Sequence, residues 1–276
     1  MSGASDFLAS ELADHVMGMG TRDYTPPSSI SLRLYRSPPA DDGTGGVEAT
    51  YPGYAPVLTT AATWRDATST GVVSNDLSVS FPQALGPEGA PLTHVGYFDP
   101  LANQLFVAPL LDMTQEPIGG ETPEFNPGDL QLDWNANTAG LSHYLGQALG
   151  DHVMGMGTKN FSPPPAIYAD GYVAEPDDAD SGGTRASHGG YAAVLTTPAT
   201  WSVGAAGLIT SLEDLIWPKA TSAEGNDWTA LVLRDATGGT GNLLLHGPWP
   251  GPTIEPLQDS RGILRAGRLQ LDWNNN

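Results

Sequence analysis

An identical octamer, DHVMGMGT, occurs twice in the chain, at residues 14–21 and again at residues 151–158. An exact repeat of this length within 276 residues indicates an internal duplication, and such repeats decide the architecture of a protein. The flanking sequence agrees, because a shift of 137 positions places residues 7–27 over residues 144–164 with similar letters. The chain is therefore predicted to contain one folding unit twice.

The correspondence continues to the end of both copies. GYAPVLTTAATW at residues 53–64 matches GYAAVLTTPATW at residues 190–201, and LQLDW at residues 130–134 recurs at residues 269–273. The shift falls to 136 and then rises to 139, and the three extra residues fall in the turn-rich sequence ATGGTG. Hairpin tips tolerate such insertions, so each copy is predicted to be a complete domain, with the two close together as a pseudo-dimer.

The pattern inside each copy predicts a mainly β domain. Apolar residues recur at helical spacing before each octamer, and the candidate N-caps are Ser5 or Asp6 and Ser142. After the octamers, apolar and polar residues alternate with period two, as in ISLRLY, and 34 glycines and 24 prolines supply turns. We predict two tandem antiparallel β-sandwich-like domains, residues 1–136 and 137–276, each opening with a short N-terminal helix.

Charge and composition exclude several classes of partner. The formal net charge is −20, the 11 basic residues are scattered, and there is no cysteine. Nucleic-acid and anionic-lipid binding need clustered lysine and arginine, and disulfides or thiolate-bound zinc need cysteine. No apolar stretch approaches the roughly 18 residues of a membrane span, so we expect a soluble protein with no cofactor, no nucleic acid and no membrane partner.

The octamer itself is predicted to be structural. Gly18 and Gly155 follow the predicted helices, where a glycine ends a helix by adopting positive φ. A phosphate loop would instead precede a helix. His15 and His152 have no HxxxH, HExxH or cysteine partner nearby, so we interpret both as structural histidines rather than metal ligands or catalytic bases.

The carboxylates show no recognisable catalytic or metal-binding order. The acidic turn at residues 41–42 and its counterpart at residues 177–180 lack the twelve-residue order and closing glutamate of an EF-hand. We predict solvated loops there, with loose Ca²⁺ binding as the alternative. A glycosidase pair of carboxylates stays open, although no pair stands out.

Tryptophans form two groups. Those at equivalent positions in both copies are predicted to pack in the core or at the domain interface, namely Trp64 with Trp201 and Trp134 with Trp273. Those found only in the second copy are candidates for a contact surface, namely Trp217, Trp228 and Trp249.

The order of these motifs resembles a known family. A helix ending in DHV, a glycine stop, YTPP, a strand ending LYRSPP, an acidic glycine-rich loop, GYA, THVGYFD and a closing GDLQLDW are similar to the small virion structural proteins of tailed bacteriophages, often labelled tail-fibre-like. One such unit makes a whole protein in that family. The resemblance implies a virion component that is not an enzyme.

Physical arguments suggest where such a component would lie. The chain lacks the coiled-coil or β-helical repeats of a long fibre, and a compact acidic β protein suits the outside of a capsid. We therefore predict a capsid decoration (cement) protein that binds the major capsid protein on the outer surface of the head, with a homo-trimer at local three-fold axes as a further expectation. The alternatives are a tail-fibre or receptor-binding accessory and a glycan-binding or glycan-hydrolysing virion module.

Overall fold

A computed structural model describes residues 3–20, 24–110, 115–134, 140–156, 161–204, 207–250, 254 and 256–271. The chain is mainly β, with 32% of its residues in strands and 12% in helices, and it consists of two sheet-rich halves that each open with a helix. The predicted fold class is confirmed. The first half is the part up to residue 134, and the second half is the part from residue 140.

The two helices begin and end alike. Helix α1 spans Asp6–Val16 and helix α2 spans His143–Val153. The side chains of Ser5 and Ser142 accept hydrogen bonds from backbone N–H groups in the first turn of each helix, as expected for N-caps. Both helices are eleven residues long, and no helix in the described part of the chain has the length and apolar character needed to cross a membrane.

The described residues of the first half form three antiparallel sheets. The main sheet has the order β1-β9-β8-β2-β3, with β4 beside the other end of β2, and the smaller sheets have the orders β11-β6-β5 and β10-β7. The strands are β1 (Gly3–Ala4), β2 (Ile30–Ser37), β3 (Val47–Glu48), β4 (Val57–Thr59), β5 (Trp64–Arg65), β6 (Val72–Asn75), β7 (Val79–Ser80), β8 (His94–Phe98), β9 (Gln104–Pro109), β10 (Glu124–Phe125) and β11 (Gln131–Asp133).

The second half repeats this topology, except that a single bridge between Leu141 and Leu245 takes the place of the β1–β9 pairing. Its main sheet has the order β13-β12-β18-β19 with β14 beside β12, and its smaller sheets have the orders β15-β16-β21 and β17-β20. The strands are β12 (Ile167–Ala174), β13 (Thr184–Arg185), β14 (Val194–Thr196), β15 (Trp201–Val203), β16 (Ile209–Ser211), β17 (Leu215–Ile216), β18 (Ala230–Arg234), β19 (Leu243–Pro248), β20 (Ile263–Leu264) and β21 (Gln270–Leu271).

Strand register is also shared between the halves. Ser31 lies opposite Phe98 in the first half, and the equivalent Tyr168 lies opposite Arg234 in the second. The second copy of the central strand loses its aliphatic alternation in sequence, yet β12 pairs as β2 does. The duplication therefore preserves backbone hydrogen bonding even where the side chains have changed.

One hydrophobic core runs through both halves. It joins residues of α1 and α2 with the inner faces of both main sheets in a single buried cluster. Helix α1 contacts β9 of its own half and β15 of the other, while α2 contacts β19 of its own half and β6 of the other. The predicted boundary at residues 136 and 137 falls among residues that are not described, and it stays a prediction.

Candidate functional site

The two octamers meet where the halves face each other. The imidazole rings of His15 and His152 stack with their centroids 4.6 Å apart and their planes inclined by 16°. Nε2 of His15 lies 3.1 Å from the carbonyl oxygen of Phe161, and Nε2 of His152 lies 3.2 Å from that of Tyr24. A carbonyl oxygen only accepts, so Nε2 donates in both rings. Each histidine thus binds the backbone of the opposite half, which makes the octamer an interface element.

The glycines that end the helices complete this interface. Gly18 and Gly155 have φ of +65° and +68°, and the N–H of Gly18 binds the carbonyl oxygen of His15 within the last helical turn. An ideal Cβ at Gly18 would lie 3.7 Å from Cβ of Pro163, and one at Gly155 would lie 3.7 Å from Cβ of Pro26. Each glycine therefore packs on the proline pair of the other half.

Replacing Gly18 with alanine is expected to lower the free energy of unfolding by about 1 kcal/mol, because an L residue at positive φ is strained. The added methyl group would make only ordinary contacts with Pro163. The variant therefore tests the backbone conformation at residue 18 and not a steric clash. Chemical denaturation of Gly18→Ala measures the effect, with Gly247→Ala as the control, since Gly247 has no positive φ and no neighbour within 4 Å of its ideal Cβ. Equal stability of the two variants would contradict the assignment.

Close contacts hold each helix against the opposite half. Oδ1 of Asp151 accepts the backbone N–H of Ala67 at 2.6 Å, and Nε2 of Gln147 donates to the carbonyl oxygen of the same residue at 2.8 Å. Helix α1 is approached closely by Gly207 of the second half. An ideal Cβ at Gly207 would lie only 2.7 Å from the carbonyl oxygen of Ala9. The repeated aspartate of the octamer is thus a buried backbone acceptor in α2.

The described cavity beside the first octamer lacks a general acid or base among its lining residues. A cavity of about 270 Å³ lies beside Gly18 and is lined by Met17, Trp201, proline and threonine side chains. None of its lining residues titrates in the range useful for a general acid or base. The described residues also contain no group of three or more side chains placed to hold a metal ion.

The acidic loops are held by hydrogen bonds of their side chains. In the first half, Oδ1 of Asp42 accepts hydrogen bonds from the hydroxyl and from the backbone N–H of Thr44. These two bonds, the hydroxyl bond foremost, lower the pKa of the Asp42 carboxyl. In the second half, Nδ1 of His246 lies 2.9 Å from Glu175 and Nε2 lies 2.8 Å from Asp178. The two His246 contacts attach the second acidic loop to strand β19.

Three of the tryptophans shared by the two copies lie in the core, namely Trp64, Trp134 and Trp201. The indole N–H groups of Trp64 and Trp201 donate to the hydroxyls of Thr59 and Thr196, each at 3.2 Å. Trp134 packs edge-on against Phe106 with ring centroids 4.8 Å apart. Trp273 lies outside the described residues, as do the later octamer residues of the second copy, 157–158.

The three tryptophans that are found only in the second copy are buried as well. Trp217 and Trp228 are fully buried and Trp249 is nearly so, and their ring centroids lie 5.3 to 5.5 Å apart. This burial corrects the expectation that these three side chains form a contact surface. The physical reason is their register, because they occupy the positions of the buried or half-buried residues Phe81, Leu92 and Leu110 of the first half.

An ion pair that sequence reasoning missed has its charges reversed between the halves. In the first half Arg33 on β2 pairs with Glu48 on β3 at 3.7 Å, whereas in the second half Asp170 on β12 pairs with Arg185 on β13 at 2.9 Å. Tyr191 donates to the fully buried carboxylate of Asp170, and burial raises the pKa of Tyr191 well above its usual range. The exchange of opposite charges under the 137-residue shift was the signal that could have revealed the pair.

Together these features describe a tandem β protein whose repeated residues join two halves and maintain their shape. The sequence profile of a protein family described as Podophage GP4 fiber I protein gp80 matches the chain twice, over residues 3–133 and 140–271. The chain belongs to this family of phage virion structural proteins, and it contains the family unit in tandem. Its role is structural and its place is the virion. A comparison with curated proteins finds no significant match.

Proposed function

We propose that this protein is a component of a phage tail fibre. The observation that carries the proposal is the twofold match to a family described by a fibre protein. The sequence alone favoured a capsid decoration protein, because no elongated repeat is present. The family match favours the alternative role, a tail-fibre accessory. A compact tandem unit can form one segment of a fibre or an attachment to it.

The interface between the halves supports a mechanical role. Each helix is enclosed partly by the other half, through the stacked histidines and through Asp151 on the backbone of Ala67. A continuous buried core across both halves resists relative movement, because interiors are close-packed and deform little. A rigid tandem unit holds its outer surfaces at fixed positions, which suits a protein that joins other virion proteins.

Copy number in purified particles is expected to separate the two structural roles. A fibre component should be present at roughly tens of copies per virion, whereas a protein that covers the capsid lattice should reach roughly hundreds, because closed symmetry fixes the number of sites. Quantitative mass spectrometry against the major capsid protein measures the ratio, and immunogold labelling shows the position. A copy number close to that of the major capsid protein, with immunogold label over the head, would overturn the fibre proposal. It would favour a decoration protein that binds the major capsid protein.

A further inference from the structure

Two edge strands at equivalent positions expose a leucine. Strand β4 pairs with β2 and strand β14 pairs with β12, and within the described residues neither strand has a second neighbour in its sheet. Leu58 at the centre of β4 is 69% exposed, and Leu195 at the centre of β14 is 55% exposed. An unpaired edge with an exposed apolar side chain is a template for another strand.

The chain around both edges carries no formal charge. Residues 49–64 contain no aspartate, glutamate, lysine or arginine, and neither do residues 186–212. The rest of the chain carries all the charges that sum to −20. Edge strands are usually protected by lysine or other charged residues, and neither β4 nor β14 has that protection. Both halves have kept this apolar edge, which lies in a segment that is nearly the same in the two copies.

We propose that β4 and β14 bind the corresponding edge strands of further copies of this chain, and that Leu58 and Leu195 are buried in these contacts. A second copy is the occupant that the charge distribution favours. Two chains of net charge −20 repel each other wherever acidic surfaces meet, so they approach most favourably at an uncharged strip. Both edges also have the same sequence, Val-Leu-Thr-Thr, and two identical strands can pair antiparallel around a two-fold axis.

The duplication gives this contact a consequence that a single unit would lack. A chain with one such edge forms only a closed dimer, whereas a chain with two edges binds two neighbours and extends the assembly at both ends. The association goes beyond the proposed fibre role and does not depend on it, because it concerns the isolated protein in solution. Copy number per virion and self-association are separate measurements, so either can fail alone.

Sedimentation velocity of the purified full chain over a range of concentrations tests the proposal. The wild-type chain should form species larger than dimers as concentration rises, and more readily at higher salt, because salt screens the repulsion between acidic chains. Leu58→Glu and Leu195→Glu should each stop at dimers, since one edge remains, and the double variant should stay monomeric. Leu257→Glu is the matched control, because Leu257 is 55% exposed outside both strands, and it should behave like the wild type.

Two results would overturn the inference. One is a wild-type chain that stays monomeric at every concentration and salt, and the other is a double variant that associates as the wild type does. Circular dichroism and thermal unfolding confirm that each variant is folded. If a glutamate variant unfolds, the serine replacements Leu58→Ser and Leu195→Ser remove the same apolar contact without adding charge, and the same pattern of dimers and monomers is then required.

Discussion

Gly171→Leu is expected to lower the free energy of unfolding by about 3 kcal/mol, because it overfills a packed interior. An ideal Cβ at Gly171 would lie 2.5 Å from Cε3 of Trp228, closer than real side chains approach. Gly262 approaches the same indole from another direction, with an ideal Cβ 2.7 Å from Cζ3. Trp228 is fully buried between these glycines, so the indole has no space into which it can move.

The first half shows how the same position accommodates a leucine. Leu34 is the equivalent of Gly171, and it coexists with Leu92, the equivalent of Trp228, both fully buried. Trp228→Leu alone should cost roughly 3 kcal/mol through the cavity that it leaves. The double variant Gly171→Leu, Trp228→Leu recreates the pair of the first half and should be clearly more stable than the sum of the single effects predicts.

Urea denaturation followed by circular dichroism measures all three variants on one scale and avoids the loss of a fluorescent tryptophan. Leu34→Gly, which makes the complementary change in the first half, should also be destabilising, because nothing there fills the space. Strictly additive effects of Gly171→Leu and Trp228→Leu would show that the two side chains do not share one volume, and the exchange of packing between the halves would then be wrong.

Local patterns in the sequence predicted the duplicated topology, the helix starts and the helix ends. Ser5, Ser142, Gly18 and Gly155 act within one turn of chain, where residue type and backbone conformation are closely linked. Segments in which apolar and polar residues alternate form strands, because this alternation is likewise a local property of the chain. Aligning the two copies along the sequence also predicts that the halves share one fold, because equivalent positions carry similar residues.

The same patterns could not show which half each side chain would contact. Helical spacing in the sequence identifies the apolar face of α1, but it does not say that this face packs partly on β15 of the other half. The stacking of His15 on His152 likewise depends on how the two halves are placed. The sequence does not show that tryptophans found in only one copy lie in the core, because the compensating glycines, Gly171 and Gly262, are distant from them along the chain.

Asp170→Ala is expected to destabilise the second half by roughly 3 kcal/mol, since it removes one member of a buried ion pair. The carboxylate is fully buried, while the Arg185 side chain is 27% exposed, so water can recover part of the guanidinium's solvation and limit the loss. Tyr191 also loses the acceptor of its hydroxyl. Chemical denaturation measures the change, with Asp76→Ala as the control, because the Arg65–Asp76 pair is more than half exposed and such pairs contribute little.

Exchanging the two charges separates the pair itself from its surroundings. The variant Asp170→Arg, Arg185→Glu copies the order of Arg33 and Glu48, yet we expect it to recover little stability. In the first half the Arg33 guanidinium lies 4.3 Å from the centre of the Phe98 ring, and Arg234 takes the place of Phe98 in the second half. An arginine at position 170 would therefore lie beside the like charge of Arg234, whereas the native aspartate lies beside an opposite charge. Full recovery by the exchange would show that Arg234 has no influence on which sign of charge β12 accepts.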